Sequence, residues 1–451
     1  MKIGYVGLGA LGSQLARRFI GNAELWVWDI SAHSRAAFAQ ESGVRVATSA
    51  FELAQHCDTV FVCLPRSSDV RNMVFGDNGL AAGLSPGSLV VDQTSGVPEE
   101  TRQIANELAK CDVAMIDAAV SASPHIVPLG GATLMVGGPD QCFERAKPVL
   151  SIITETIYRC GTRVGDGQAM KIVNNAMNAT TRLGTLEVAV LGRKAGLSLA
   201  DMATFLNRGM ARNQTTDKML PALAEGKTST NFALALMLKD INQAVSLGTS
   251  IGAPMYVTSI VRGLLQIGAN ALGANAKLED MVGVIERLAG TRLSPPVDVS
   301  PSKASEAIDD SSLHLSGPEQ RRVEEMLESA IMALCLHITY ECAVVGLKYG
   351  LPMQAISNVV NKSSGWSESS RSLLPALAAG RDVEPMDLKV ALRDLNQACS
   401  LAIRLGAPLS IVNAVRSIWL HASNLGGANQ TSICLRDFYF AAADVNSAVY
   451  H

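Results

Sequence analysis

Little in this chain invites a metal, a nucleic acid or a disulfide framework. None of its nine cysteines forms a C-x-x-C pair, and their number is odd. They sit in apolar settings such as FVCLP at 61–65, so they read as small core residues of a reducing compartment, expected to be the cytoplasm. The seven histidines are scattered without metal-ligand spacing, and no metal is expected. There is no basic run and no basic face studded with aromatics, which argues against nucleic acid as a partner. No apolar stretch is read as reaching the length of a membrane span, so no membrane contact is expected. The opening MKIGYVGLGALG enters a strand and a glycine loop at once and does not read as a signal peptide. What remains is a chain of 451 residues, 48% hydrophobic and 18% charged, with a net charge of −3. That composition fits a globular protein with large cores in two or three domains.

The strand KIGYV at 2–6 runs into Gly7-Leu8-Gly9-Ala10-Leu11-Gly12, then an amphipathic helix, SQLARRFIGN, then a second strand at 24–28 that ends in Asp29. This is G-x-G-x-x-G in its required context, with a strand before, a helix after and an acid about 20 residues on. Gly7 allows the tight turn, Gly9 lets backbone approach a pyrophosphate, and Gly12 lets the helix pack on the strand. The helix N-terminus offers amide donors to the phosphates. The whole loop, Leu8, Ala10 and Leu11 included, is therefore assigned to a dinucleotide, with Asp29 and Ile30 beyond it. Asp29 can accept from a ribose 2′-hydroxyl and would repel a 2′-phosphate, so NAD is expected over NADP.

Helix and strand signals then alternate: AAFAQES, FELAQHC, the strand DTVFVCLP, DVRNMVF, the strand SLVVDQT, PEETRQIANELAK and the strand VAMIDA. A further strand at 132–138, a helix at 139–153 and a short strand at 156–160 complete an α/β parallel sheet, a Rossmann domain over residues 1–162. Ligands of such sheets sit beyond the C-terminal strand ends, here at 63–65 and 92–95. After the next strand comes DAAVSASP, where Ser121 and the amides around Ala122 and Ser123 offer a hydroxyl and N–H groups to a carboxylate.

Residues 165–192, GDGQAMKIVNNAMNATTRLGTLEVAVLG, read as one long helix. At about 100° per residue, Lys171, Asn174, Asn175, Asn178 and Arg182 fall on one face while the rest is apolar or small. Unpaired, each buried polar group would cost a few kcal/mol, so something polar must face the stripe. Either the stripe is a polar seam between domains, or it is a substrate site with Lys171 as its acid–base.

The order of these motifs resembles the β-hydroxyacid dehydrogenase family, which includes 3-hydroxyisobutyrate dehydrogenase and tartronate semialdehyde reductase. The resemblance runs to about residue 290. It rests on GLGALG at 7–12, Leu64-Pro65, Asp92-Gln93-Thr94-Ser95, DAAVS at 117–121, G-x-G-Q-x-x-K-x-x-N-N at 165–175 and LKD at 238–240. It implies that Lys171 is the catalytic lysine, Asn175 the substrate-orienting asparagine and Ser121 the carboxylate-binding serine. By the same resemblance Leu64, Pro65, Asp69 and Ser95 contact the cofactor, and Lys239 lies beside cofactor and substrate. One departure is plain. Where the family has D-A-P-V followed by S-G-G, this chain has Ala119 for the proline and Ser121-Ala122-Ser123.

Residues 291–318 are rich in Ser, Pro, Asp and Ala without periodicity and read as a linker. Beyond them the helical region is repeated. LKDINQAVSLGTSIGAP from Leu238 returns as LRDLNQACSLAIRLGAP from Leu392, and LPALAEG from Leu220 returns as LPALAAG from Leu374, both at an offset of 154. Glu187 and Gly192 recur as Glu341 and Gly346 at the same offset. The stripe does not recur: Lys171, Asn174, Asn175, Asn178 and Arg182 become Glu325, Glu328, Ser329, Met332 and Leu336, and Lys239 becomes Arg393.

The expected architecture is an α/β Rossmann domain followed by two tandem all-α domains like the C-terminal region of 6-phosphogluconate dehydrogenase, at 163–290 and 319–451. In the family the helical domain resembles a dimerisation unit. The second copy is thus expected to make an intramolecular pseudo-dimer with one active site per chain, whether the chain stays a monomer or assembles into a homo-oligomer. Residues 361–366 or the surroundings of Asp394 are candidates to line the pocket. The expected activity is NAD-dependent hydride transfer to or from a small β-hydroxy acid. The alternatives are an imine reductase-like enzyme and a non-catalytic NAD-binding sensor.

Overall fold

The structure, a computed structural model, describes residues 1–293, 316–383, 386–426 and 432–445. It separates into two compact units, Met1–Lys171 and Ile172–His451. Most of the expected linker, residues 294–315, lies outside the described residues.

The first unit holds an eight-stranded sheet in the order β3-β2-β1-β4-β5-β6-β7-β8. Its strands are β1 (Lys2–Val6), β2 (Glu24–Trp28), β3 (Val44–Val46), β4 (Thr59–Val62), β5 (Leu89–Asp92), β6 (Ala114–Ser121), β7 (Thr133–Gly137) and β8 (Ile157–Gly161). All neighbours are parallel except β6 and β7. The helices α1 (Gly12–Arg17), α2 (Ala32–Ala39), α3 (Ala50–His56), α4 (Ser67–Phe75), α5 (Leu80–Gly83), α6 (Pro98–Ala109) and α7 (Asp140–Ile153) lie between the strands in sequence. Strand side chains alternate between two cores. Ile3, Tyr5, Leu25, Val27, Phe61 and Val91 join one; Val6, Val60, Val62, Val90 and Met115 join the other. Burial on both faces is why these strands read as nearly continuous apolar runs. The strand order reverses beside β1, whose neighbours β2 and β4 lead the chain in opposite directions, and such a reversal opens a ligand crevice at the C-terminal strand ends.

Three details differ from the sequence expectation. Helix α1 stops at Arg17, because residues 18–22 close as tight turns that swing Phe19 into the core, its ring 5.0 Å from that of Phe61. The edge strand β3 and the one-turn helix α5 are too short to carry a periodic signal. Strand β6 runs on to Ser121 because its last residues pair with antiparallel β7, so Ser121 ends a strand.

Helix α8 (Asp166–Lys194) leads from the first unit into the second. After it come α9 (Leu199–Leu206), α10 (Gln214–Ala224), α11 (Leu234–Ile251), α12 (Tyr256–Leu272) and α13 (Met281–Ala289), then α14 (Gly317–Tyr349), α15 (Met353–Val360), α16 (Glu368–Ala378), α17 (Leu388–Leu405), α18 (Ser410–Gly426) and α19 (Ser432–Ala442). Helix α14 corrects one reading of the sequence. By length and composition it is apolar enough to cross a membrane, but 94% of its most apolar window is buried inside the protein, as in the core helix of a large bundle. The few charges among residues 330–347 are Glu341 and, when protonated, His337, and both are buried.

Positions 154 apart make the same contact in opposite directions. Glu187 on α8 accepts the backbone N–H groups of Ile411 and Val412 at the start of α18, at 2.9 and 3.3 Å. Glu341 on α14 accepts those of Val257 and Thr258 at the start of α12, both at 3.0 Å. A carboxylate at a helix N-terminus takes up donors that the helix itself cannot satisfy. Asn213 and Ser367 pair as an antiparallel bridge, and each closes a capping box at the head of its own helix, α10 or α16.

The two glutamates titrate differently. Burial raises Glu187 from 4.5 to about 8, against the pull of the Ile411 and Val412 amides. A raised folded pKa stabilises fully below the unfolded value and is lost as pH climbs to the folded one. Glu187→Gln keeps an acceptor but no proton to lose. The melting temperature of this variant should therefore gain on the parent as pH rises from 4.5 to about 8, then hold a constant lead. Thermal melts across that range check this, and a pH-independent difference would sink it.

Candidate active site

In the first unit the glycine loop is built as its spacing implies. Gly7 has a φ of +97°, and a Cβ there would lie 2.2 Å from the Cys63 carbonyl oxygen. A Cβ at Gly12 would lie 2.1 Å from the carbonyl oxygen of Gly7, so only glycine lets α1 approach the strand. A Cβ at Gly9 would meet no protein atom within 4 Å, which leaves the loop backbone open on that side. Asp29, at the end of β2, accepts the backbone N–H of Leu8 at 2.6 Å and of Ser31 at 2.7 Å, tying the loop to the second strand. Ala10 and Ile30 are exposed, and Leu11 is half-buried.

The ends of β4 and β5 are strapped together. Leu64 N–H donates to Thr94 Oγ1 at 3.0 Å, Thr94 N–H to Asp92 Oδ1 at 2.9 Å, and Val97 N–H to Ser67 Oγ at 2.7 Å. Leu64, Asp69 and Ser95 are half-buried at this edge and Pro65 is exposed. Gln168, in the first turn of α8, donates from Nε2 to Asp92 Oδ2 and the Thr94 carbonyl, both at 3.1 Å. Asp117 of β6 accepts Gly165 N–H at 2.6 Å and Gln168 N–H at 2.7 Å. Burial pushes Asp92 up to about 6 and Asp117 up to about 8, in each case against hydrogen bonds that favour the charged form. The start of α8 is thus pinned to two strand ends, and the next turn carries Lys171, only 8% exposed. Ser121, Ala122 and Ser123 lie half-buried from the end of β6 onward, with His125 exposed beyond them.

In the second unit Asn175 is buried and donates from Nδ2 to Asp240 Oδ2 at 2.6 Å. Asp240 also pairs with Lys239, Oδ1 to Nζ 3.5 Å. Asn174 bonds Asn175 and the 364–365 backbone and side chain. Arg182 has other partners: it pairs with Glu279, toward the end of the first helical run, and donates to Ser229, in its middle. Along the polar stripe, Asn174 and Asn175 thus belong to one hydrogen-bond network and Arg182 to another.

Sequence reasoning placed the 92–95 strand end against the ligand and quoted Asp117 and Asp240 within motifs, but gave none of these acids its supporting role: Asp92 and Asp117 hold the α8 start, and Asp240 holds Asn175. A signal existed for each. Asp92 and Asp117 each end or interrupt an apolar run, Asp240 follows one with Lys239 between, and a buried acid demands a partner. Among the described residues no group of three or more His, Cys, Asp or Glu could hold a metal ion.

Two family models match the chain. One, described as the NAD binding domain of 6-phosphogluconate dehydrogenase, covers residues 2–161. The other, described as NAD-binding of NADP-dependent 3-hydroxyisobutyrate dehydrogenase, covers residues 165–285 and 325–436. The 2-(hydroxymethyl)glutarate dehydrogenase of Eubacterium barkeri is 29% identical over 299 residues, 65% of this chain and 98% of its own. A probable mitochondrial 3-hydroxyisobutyrate dehydrogenase of Dictyostelium discoideum is 32% identical over 263 residues, 56% of this chain and 81% of its own. The Plasmodium falciparum 6-phosphogluconate dehydrogenase shares the fold across 94% of this chain and 93% of its own, with a TM-score of 0.71 at 13% identity. The chain belongs to the β-hydroxyacid dehydrogenase family, NAD(P)-dependent oxidoreductases of hydroxy acids.

Proposed function

We propose that this protein is an NAD-dependent dehydrogenase of a small β-hydroxy acid such as 3-hydroxyisobutyrate, with Lys171 as general acid–base. The observation that carries the reading is a lysine only 8% exposed, in the second turn of a helix whose start is held by Asp117 and by Gln168 on Asp92. The open backbone at Gly9 and the acceptor Asp29 fit a dinucleotide. When bound, the nicotinamide supplies or accepts the hydride. The Lys171 amine takes the hydroxyl proton in oxidation and returns it in reduction. Asn175 follows one helical turn later, on the same face, and orients the reacting oxygen. Ser121, with the backbone at Ala122 and Ser123, receives the substrate carboxylate.

The preference for NAD rests on Asp29, whose carboxylate would meet a 2′-phosphate as a like charge. Asp29→Ser is expected to raise kcat/KM with NADP+ relative to NAD+ by about tenfold, one close charge contact being worth about 1–2 kcal/mol. An unchanged ratio would remove Asp29 as the determinant.

The second helical run takes the place that a partner subunit's helical domain would hold, and the reciprocal contacts of Glu187 and Glu341 support this pseudo-dimer. Covalent linkage replaces association by a high effective concentration. The test of activity is a panel of 3-hydroxyisobutyrate, 2-(hydroxymethyl)glutarate and related acids with NAD+ and NADP+, followed at the nicotinamide absorbance. Tight cofactor binding without turnover of any acid would overturn the enzymatic reading.

A further inference from the structure

One chain of hydrogen bonds in the second unit starts in the second helical run and ends at Asn175. Gly365 N–H donates to Asn174 Oδ1 at 3.0 Å. Asn174 Nδ2 donates to Ser364 Oγ at 3.1 Å and to Asn175 Oδ1 at 3.3 Å. Asn175 Nδ2 donates to Asp240 Oδ2 at 2.6 Å.

The direction of this chain is set at both ends by groups that cannot reverse. A backbone N–H only donates, so the Asn174 oxygen faces Gly365 and its nitrogen faces Asn175. A carboxylate accepts, so the Asn175 nitrogen faces Asp240. The Asn175 oxygen thus faces Asn174, with one lone pair taken, and the donor its amide has left to offer is the second N–H of Nδ2. The loop that begins the chain is itself held in place. Trp366 stacks under the Arg371 guanidinium, 4.0 Å from the ring centroid, and its carbonyl accepts Gln214 N–H at 3.2 Å. Gly365 is required for the approach, since a Cβ there would lie 2.9 Å from Asn174 Oδ1 and 3.0 Å from the Asn174 carbonyl oxygen.

The positions 154 residues away lack the chain. Met210 and Ala211 stand where Ser364 and Gly365 do, Glu328 replaces Asn174, and Ser329, in the place of Asn175, donates to Asp394 at 2.7 Å. Glu328 does rest against the equivalent loop, a Cβ at Gly209 lying 2.0 Å from its Oε1, so both sides join the two runs, but only on the Asn174 side does the contact pass on to the next residue of the stripe.

We propose that Ser364 and Gly365, from the second helical run, are positioning residues for the substrate site: through Asn174 they fix the Asn175 amide so that it meets the substrate oxygen as a hydrogen-bond donor. This rests on the reading of Asn175 as a substrate contact. It gives the second run a part in catalysis beyond that of a docked domain.

The full-length protein tests it, with 3-hydroxyisobutyrate or whichever acid of the panel the parent turns over fastest. Ser364→Ala is expected to lower kcat/KM about tenfold, mainly through kcat, and Ser364→Thr, which keeps the hydroxyl, to recover it. Asn174→Asp still accepts from Gly365 but cannot donate to Asn175, and should lower kcat/KM about 100-fold. The Kd for NAD+ and the melting temperature should stay near those of the parent in all three. If Ser364→Ala and Asn174→Asp both keep kcat/KM within about twofold while Asn175→Ala loses about 100-fold, the relay falls and the site reading stands. Losses that follow the melting temperature, without recovery in Ser364→Thr, reduce the loop to a packing element and also overturn the proposal. If Asn175→Ala itself keeps full kcat/KM, the relay and the reading it rests on fall together.

Discussion

Replacing Lys171 with alanine is expected to lower kcat about 1,000-fold, within the 10²–10⁴ range of a positioned general acid–base. Affinity for NAD+ should be unchanged, because the glycine loop and Asp29 lie on other elements. Lys171→Arg should fail equally, since a guanidinium keeps its proton throughout the working pH range and cannot act as a base. A small primary amine in the assay should restore part of the activity of Lys171→Ala, as it could occupy the vacated space and take the proton. Stopped-flow turnover and fluorescence titration with the reduced cofactor separate these effects. A Lys171→Ala or Lys171→Arg enzyme that kept more than about a tenth of the parent kcat would remove Lys171 from the chemistry. The surrounding structure should tolerate the change, because what holds the helix start is Asp117 and Gln168, and neither depends on the lysine.

How much of this was visible in the sequence depends on distance along the chain. The glycine loop is a local device whose strand, turn and helix are contiguous, so its spacing alone placed Gly7, Gly9 and Gly12. That Lys171 and Asn175 share a helix face was legible for the same reason, being one helical turn apart. Their supports are not local. Asp117 reaches Gly165 across 48 residues, Asp240 reaches Asn175 across 65, and Asp92 reaches Gln168 across 76. No periodicity encodes such pairs. At most, a buried acid signals that some partner exists. The Asn174–Ser364 bond spans 190 residues and joins the two helical runs. The constant offset of 154 brought residues 361–366 forward as a candidate, but it could not rank them against the surroundings of Asp394. In the structure the polar partners of Asp394 are its own run's Ser329 and Arg393, whereas Ser364 and Gly365 cross to the stripe. The misjudged apolar run in α14 has a physical origin too. Core helices of large bundles and membrane helices share a composition, and only what surrounds them tells them apart.

The same comparison across the offset predicts the largest single loss of stability outside the sheet. Glu341→Ala is expected to cost about 3–5 kcal/mol, the range for removing one partner from a buried charged network. Its carboxylate accepts Val257 N–H and Thr258 N–H at 3.0 Å and the Thr258 hydroxyl at 2.6 Å, and lies 3.1 Å from His337 Nε2, whose other ring nitrogen meets the Tyr439 hydroxyl. Truncation leaves these groups buried without their acceptor, and each such group costs about 1–3 kcal/mol. At the equivalent place around Glu187 stand Leu183, Val412 and Ile285 where Glu341 has His337, Thr258 and Tyr439. That difference explains the opposite titration of the pair. Burial works to raise Glu341 as it does Glu187, but His337 and the Thr258 and Val257 donors outweigh it and hold the carboxyl below its ordinary value of 4.5. A lowered folded pKa contributes stability above the unfolded value and loses it as pH falls through the folded one. Glu341→Ala should therefore be most damaging at neutral pH, with the gap to the parent narrowing in acid below about 4.5. Denaturant melts at several pH values measure both the size and the slope. A loss below about 1 kcal/mol at neutral pH would show that this network contributes little to holding the two helical runs together.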